Sequence, residues 1–284
     1  MLVLSYDSYN SYYHYNEQMK IFKSKHKLQK EILSIKNISF IPTMGGLHKG
    51  HLSLIKKSKT FKGKILVSIF INPKQFNEKK DFLNYPRNLE KDLIILKRLN
   101  VDFVYLPSRK DIFSFKTKNK VFLDKFSKKL CGQSRKGHFE GVLNVVNRFL
   151  EIIKPKYIFL GIKDFQQLYL INKHILKKRI NTKIINCKTI REKNGVACST
   201  RNENLNKDQF KIASNVYRYL KVKKKLIKKK FSNFKISSIK KDLINLGVTK
   251  IDYVELYDSK NFKKPKNKRE KFKIFIAFYL NKIR

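Results

Sequence analysis

Acidic side chains are scarce in this chain. Its 284 residues hold 21 Asp and Glu against 66 Lys and Arg, a net charge of +45, and tryptophan is absent. Such a balance directly suggests a nucleic-acid or membrane-surface binder. A nucleic-acid footprint, however, gathers arginine and stacking aromatics on one face. Here the basic residues are mostly lysine and run through the whole chain. Lys, Ile, Asn, Phe and Tyr share A/T-rich codons, so codon bias is the favoured reading, with neither a specific nucleic-acid partner nor a membrane partner expected. Cysteine is also sparse. Cys131, Cys187 and Cys198 form no Cys-x-x-Cys pair, which excludes a disulfide framework and fits a reducing compartment. Long apolar runs are missing: the longest, near Ile65 to Ile71, is too short to span a bilayer. The N-terminus lacks the basic-then-apolar order of a signal peptide. A cytoplasmic protein is expected.

What is present suffices for an ample core, since 42% of the residues are apolar. Residues 1–18 are rich in Tyr, Ser and Asn without a clear period and are read as a disordered leader. From Met19 the stretch MKIFKSKHKLQKEILSIK has helical spacing. Strand-like and helical patterns then alternate. Lys64–Ile71, Val101–Leu106, Tyr157–Leu160 and Lys183–Ile190 read as strands. Leu89–Leu99, Glu140–Ile153 and Gln166–Leu176 read as helices, with Asp164 as an N-cap. The alternation predicts an α/β fold with a doubly wound, Rossmann-like parallel sheet over residues 19–188. Ligands of such sheets sit beyond the carboxyl ends of the strands. After about residue 188 the texture changes. Helices at Asp208–Lys230 and Ile236–Leu246 and strands at Lys250–Leu256 and Phe272–Leu280 predict a smaller C-terminal α+β domain, residues 189–284. The lysine run at 223–225 and 228–230 reads as a solvated helix face. His14, His26 and His174 read as surface residues.

The stretch from Ile38 to Ile55, ISFIPTMGGLHKGHLSLI, carries the chemistry. An apolar strand is followed by a turn at Gly45 and Gly46, where glycine tolerates conformations other residues avoid. Leu47, His51, Leu54, Ile55 and Ser58 then fall on one helical face. His48 and His51 are three apart in the first turn, where unpaired N–H groups attract phosphate. A Walker loop is absent. Zinc ligation by the pair would need a third ligand, and none is near in sequence.

His48-Lys49-Gly50-His51 resembles the His-x-Gly-His signature of the nucleotidyltransferase superfamily, and Pro42 through His51 resembles the pantoate–β-alanine ligase family in particular. Further family-like segments follow in order: Val67 to Phe76, Tyr85-Pro86-Arg87, Cys131 to Val142, Gly161 to Leu168, and Ile190-Arg191 with Cys198 to Asn202. The resemblance is strong over about 37–206. It implies ATP-dependent condensation of D-pantoate with β-alanine through a pantoyl adenylate, with Mg²⁺ accompanying ATP, in a homodimer. By resemblance His48 and His51 are catalytic, with proton donation falling on His51. Met44, Gly45, Gly46, Leu47, His48, Lys49, Gly50 and His51 would line the ATP site. Gly161, Ile162, Lys163, Asp164, Ile190, Cys198, Ser199, Thr200 and Arg201 would join them. Gln75 and Gln167 would bind pantoate, and Gln75 β-alanine as well; no protein metal site is implied. Arg135 and His138 are read as ordering their loop and are left out of the catalytic set. Three departures stand out: Ile162 for Glu, Thr200 for Ser and Cys198 for Leu. The alternatives are another adenylyl- or cytidylyltransferase with the same signature, or a basic nucleic-acid-binding protein.

Overall fold

The computed structural model describes residues 19–77, 79–229, 231, 236–259, 262–265 and 271–284. The expected leader, residues 1–18, and Lys230 of the lysine run lie outside them. The described chain begins with β1 (Lys20–Phe22), α1 (Lys25–Ile32), β2 (Ile38–Thr43), α2 (Lys49–Ser58) and β3 (Lys64–Ile69). A 3₁₀ turn, Pro73–Gln75, leads to α3 (Lys79–Leu83), α4 (Leu89–Arg98), β4 (Phe103–Tyr105) and α5 (Arg109–Phe113). After α6 (Cys131–Ser134) come α7 (His138–Ile153), β5 (Tyr157–Gly161), α8 (Phe165–Lys177) and β6 (Lys183–Cys187). The chain closes with α9 (Lys207–Lys229), α10 (Ile236–Asn245), β7 (Lys250–Asp258) and β8 (Phe272–Tyr279).

β1 to β6 form one parallel sheet in the order β1-β4-β3-β2-β5-β6. The apolar runs of β2, β3 and β5 follow from this position, because both faces are covered. Phe40, Leu66, Phe103 and Ile158 point to a core shared with α1, α7 and α8. Their neighbours Ile41, Val67, Val104 and Phe159 point to the other side, against Leu54 and Ile55 of α2 and Leu96 of α4. This is the expected doubly wound α/β arrangement. From β2 the order runs through β3 and β4 one way, and through β5 and β6 the other. A crevice therefore opens between the carboxyl ends of β2 and β5, the usual ligand position in this class of sheet.

The helical spacing assigned from Met19 is wrong at its start: Lys20–Phe22 is an edge strand paired with Phe103–Tyr105. Three residues are too few to show a period of two against the helix that follows. Several strands also end earlier than their apolar runs, β3 at Ile69 and β6 at Cys187. β7 and β8 pair antiparallel and pack with α9 and α10 around Val216, Ile239, Leu243 and Val254, which gives the smaller α+β unit. An aromatic cluster of Phe126, Phe165, Tyr169, Tyr257, Phe262 and Phe275 joins it to the first turns of α8. No described lysine is buried, as the cost of desolvating an ammonium requires. Among the described residues no helix is long and apolar enough to cross a membrane.

Candidate active site

β2 delivers the chain to the crevice at Thr43. Its hydroxyl donates to the Ser68 carbonyl (2.7 Å) and receives the Gly45 N–H (3.3 Å). Gly45 and Gly46 have φ of +80° and +61°, the left-handed region that favours glycine. Close approach matters as well, since a Cβ on Gly46 would lie 2.3 Å from Thr200 Cγ2. The turn is held by Asp92 of α4, which is 2% exposed. Its carboxylate accepts the N–H groups of Gly46 (2.9 Å) and Leu47 (2.8 Å). Burial pushes the Asp92 pKa up, and these two bonds oppose the shift. Sequence reading missed Asp92, which looks like a routine polar residue in the first turn of an amphipathic helix.

His48 is the N-cap of α2 rather than a member of its first turn. Its Nδ1 accepts the Gly50 N–H (3.0 Å), while His51 Nδ1 accepts the His48 N–H (3.4 Å). The rings lie 4.1 Å apart between centroids. An Nδ1 that accepts a backbone N–H carries no proton, so each neutral ring holds its proton on Nε2. Burial, helped by the Lys163 charge, lowers the His48 pKa to about 4. Burial and His48 lower that of His51 to about 3. Two neutral imidazoles thus present Nε2–H donors beside the N-terminus of α2. Leu47, Leu54, Ile55 and Ser58 are buried, as the helical face predicts.

The carboxyl end of β5 supplies the facing wall. A Cβ on Gly161 would meet nothing within 4 Å, so the bare backbone there borders open space. Lys163 Nζ lies 3.5 Å from the Cys198 carbonyl oxygen. Asp164 occupies the N-cap position of α8, as expected, although its side chain makes no capping bond, and the residue is exposed. Ile162 is partly buried against the main core. Ile190 accepts the Cys198 N–H at its carbonyl (3.0 Å).

The segment after β6 folds back over α2. Lys49 pairs with Glu192 (2.9 Å), and the Cys198 thiol donates to the same carboxylate (3.1 Å). Thr200 donates its hydroxyl proton to the Gly46 carbonyl (3.0 Å). Ser199 Oγ accepts the Arg201 N–H (3.3 Å), and Arg201 grips Asp81 with Nε (3.2 Å) and Nη2 (2.8 Å). Met44 is partly buried in the loop between Thr43 and Gly45.

Gln75 ends the turn after β3, and Gln167 lies in the first turn of α8. Among the described residues, neither side-chain amide has a hydrogen-bond partner. Their neighbours are fixed instead. The Gln75 carbonyl accepts from His138 Nδ1 (2.7 Å) and Arg135 Nη2 (2.8 Å). Gln166 ties down the 126–131 loop through the carbonyls of Phe126 and Lys129 and the N–H of Cys131. His174, expected at the surface, is fully buried. It accepts the Phe122 N–H at Nδ1 (3.1 Å) and faces Asn147 Oδ1 through Nε2 (3.0 Å), a structural role that helical spacing alone does not reveal. A cavity of about 490 Å³ lined by Lys25, Phe115, Lys154 and Arg179 holds none of these residues.

The site therefore combines helix N-terminal amides, two imidazole donors, a lysine and an exposed carboxylate at the switch point, with two amides to one side that have no partner among the described residues. It suits an extended polyphosphate with a polar acceptor next to it. The family model for pantoate-beta-alanine ligase matches residues 18–284. The pantothenate synthetase of Flavobacterium psychrophilum is 41% identical over 253 residues, covering 88% of this chain and 90% of that protein. That of Francisella tularensis subsp. novicida is 38% identical and covers 92% of each. A crystal structure of the Francisella tularensis pantoate-beta-alanine ligase, complexed with beta-gamma ATP and beta-alanine, superposes with a TM-score of 0.78 at 38% identity, covering 93% of this chain and 95% of that one. The Thermus thermophilus enzyme gives 0.79 at 26% identity, covering 93% and 96%. With motif order, sheet topology and similarity over most of the chain in agreement, this chain belongs to the pantoate–beta-alanine ligase family.

Proposed function

We propose that the chain joins D-pantoate to β-alanine at the expense of ATP, with the residues described above in the following roles. The pantoate carboxylate attacks the α-phosphorus of ATP. The bond from that phosphorus to the bridging oxygen breaks, and pyrophosphate leaves. The β-alanine amine, having shed its ammonium proton, then attacks the acyl carbon. The carbon–oxygen bond to AMP breaks, a further proton is lost, and pantothenate is released.

The observation that carries this reading is the paired Nδ1 acceptance of His48 and His51. It fixes two Nε2–H donors beside a helix N-terminus, where charge accumulates on the departing pyrophosphate. As neutral rings they are preorganised donors; the donor role that falls on His51, the more shielded, is a hydrogen bond from its Nε2–H, with no proton transferred. Met44 to His51 line the phosphates with Lys163, Ser199, Thr200 and Arg201. Gly161 and Asp164 meet the ribose, Ile162 lies beside them, and Ile190 and Cys198 border the adenine. Gln75 and Gln167 bind pantoate through their unpaired amides, and Gln75 also meets β-alanine. Mg²⁺ arrives with the ATP phosphates; among the described residues no cluster of three metal ligands occurs.

The division into 19–188 and 189–284 belongs to the same proposal, with the second unit closing over the nucleotide through Thr200 and Arg201. So do a homodimer, supported by family membership, and a cytoplasmic location, supported by three free thiols. The test is isotopic. Pantoate labelled with ¹⁸O in its carboxylate should place one label in AMP. Unlabelled AMP, or ADP as the nucleotide product, would overturn the acyl-adenylate route.

A further inference from the structure

Three guanidinium groups meet around the 131–138 segment, those of Arg135, Arg201 and Arg284, and the charges of the latter two bear on Arg135. Both of those have their own carboxylates: Arg201 pairs with Asp81 (2.8 Å) and Arg284 with Asp252 (2.7 Å). Among the described residues no carboxylate pairs with Arg135. It is nevertheless partly buried, in a place where an unmatched charge is costly. All its hydrogen bonds go to neutral groups. Nε donates to Asn77 Oδ1 (3.3 Å), Nη1 to His138 Nε2 (3.2 Å) and Nη2 to the Gln75 carbonyl (2.8 Å). His138 is neutral, its pKa lowered to about 4 by burial and by the Arg135 charge. Its Nδ1 proton is committed to the Gln75 carbonyl, so Nε2 is an acceptor. A guanidinium has five N–H donors. Three are used, and the two left over lie one on each terminal nitrogen, a fork able to hold a carboxylate.

We propose that Arg135 binds the carboxylate of the incoming amino acid, β-alanine, and so sets the enzyme's preference for an amine that carries a negative charge. This rests on the reading of Gln75 as the residue at which pantoate and β-alanine meet. Of the two organic substrates, only β-alanine keeps its carboxylate unchanged. A guanidinium on pantoate's carboxylate would draw charge away from the attacking oxygen and oppose the first step. The polyphosphate has its own donors at the β2–β5 crevice. Arg135 instead contacts the backbone of Gln75, beyond the end of β3. The three-residue spacing of Arg135 and His138 makes one unit: the imidazole turns the guanidinium, and both hold the Gln75 carbonyl.

The experiment compares β-alanine with β-alaninamide, which has the same chain and an amine but a neutral amide in place of the carboxylate, at saturating ATP and D-pantoate. The readout is the ratio of kcat/KM for the two amines in wild type, R135Q and R135K. The ratio is internal to each protein, so lost stability or weaker adenylation cancels. Wild type should favour β-alanine by roughly 10- to 100-fold, the value of a charge-assisted hydrogen-bonded pair. R135Q should bring the ratio close to one, and R135K should keep part of the preference. A wild-type ratio that survives in R135Q would overturn the proposal and leave Arg135 a positioning residue for Gln75. A wild type without pantoate-dependent AMP release would instead overturn the functional reading itself.

Discussion

At the scale of single residues, the decisive feature is which nitrogen carries the proton on two histidines. Both Nδ1 atoms are occupied by backbone N–H groups, so replacing a ring removes a donor and a cap together. His51→Ala should lower adenylate formation by about 10²–10³-fold, at a stability cost of about 0.5–2 kcal/mol. Single-turnover assays paired with thermal melts would check this, and near-normal turnover would contradict it. Both rings have values depressed to about 4 and 3, below the ordinary 6.5. In the free enzyme they stay neutral down to about pH 4–5. The pH profile of kcat/KM for ATP should therefore show no histidine limb near 6.5. Stability behaves differently. The unfolded chain binds protons at these histidines from about pH 6.5 downward and the native state does not, so the fold should lose stability across pH 6.5 to 4. His138 and His174, also lowered to about 4, act in the same direction. The two catalytic histidines were legible because their spacing sits between a glycine turn and a helix. Asp92 was not, since its partners Gly46 and Leu47 lie some 45 positions away in sequence and nothing local marks the contact. His174 failed for a similar reason: only the packing of α8 against α7 reveals its burial.

At the scale of elements, the site depends on one helix pressing on one turn. A Cβ on Gly141 of α7 would lie 2.2 Å from the Lys74 carbonyl oxygen, and Asn72 Nδ2 donates to the Gly141 carbonyl (3.1 Å). Gly141→Ala should displace the Pro73–Gln75 turn. The expected cost is about 1–3 kcal/mol of stability, with KM for pantoate and β-alanine rising more than KM for ATP. Equal effects on all three substrates, or none, would contradict the packing account. The β-α alternation was readable because buried parallel strands leave continuous apolar runs. Short elements were not. β1 gains its pairing from β4 across more than eighty residues, and its three residues carry no period. Strand ends were overestimated where apolar residues continue into the site loops, as at Phe70 and Ile71 after β3.

For the whole molecule, the formal net charge is +45, with few acids to offset it. Mutual repulsion destabilises the compact state, and salt screens it over a Debye length of about 10 Å at 0.1 M and about 3 Å at 1 M. The melting temperature should rise between 50 mM and 500 mM NaCl, measured by scanning calorimetry; a flat or falling trend would show that local ion pairs outweigh the net repulsion. Binding to polyanions should fade over the same range. The family was readable because its motifs sit on loops that the sheet gathers at one edge. The central claim is adenylation of pantoate at that edge. It is tested most directly by exchange of labelled pyrophosphate into ATP, with β-alanine omitted. The account predicts exchange that requires D-pantoate and is lost in His51→Ala. Exchange indifferent to pantoate, or none in a folded, ATP-binding sample, would contradict it.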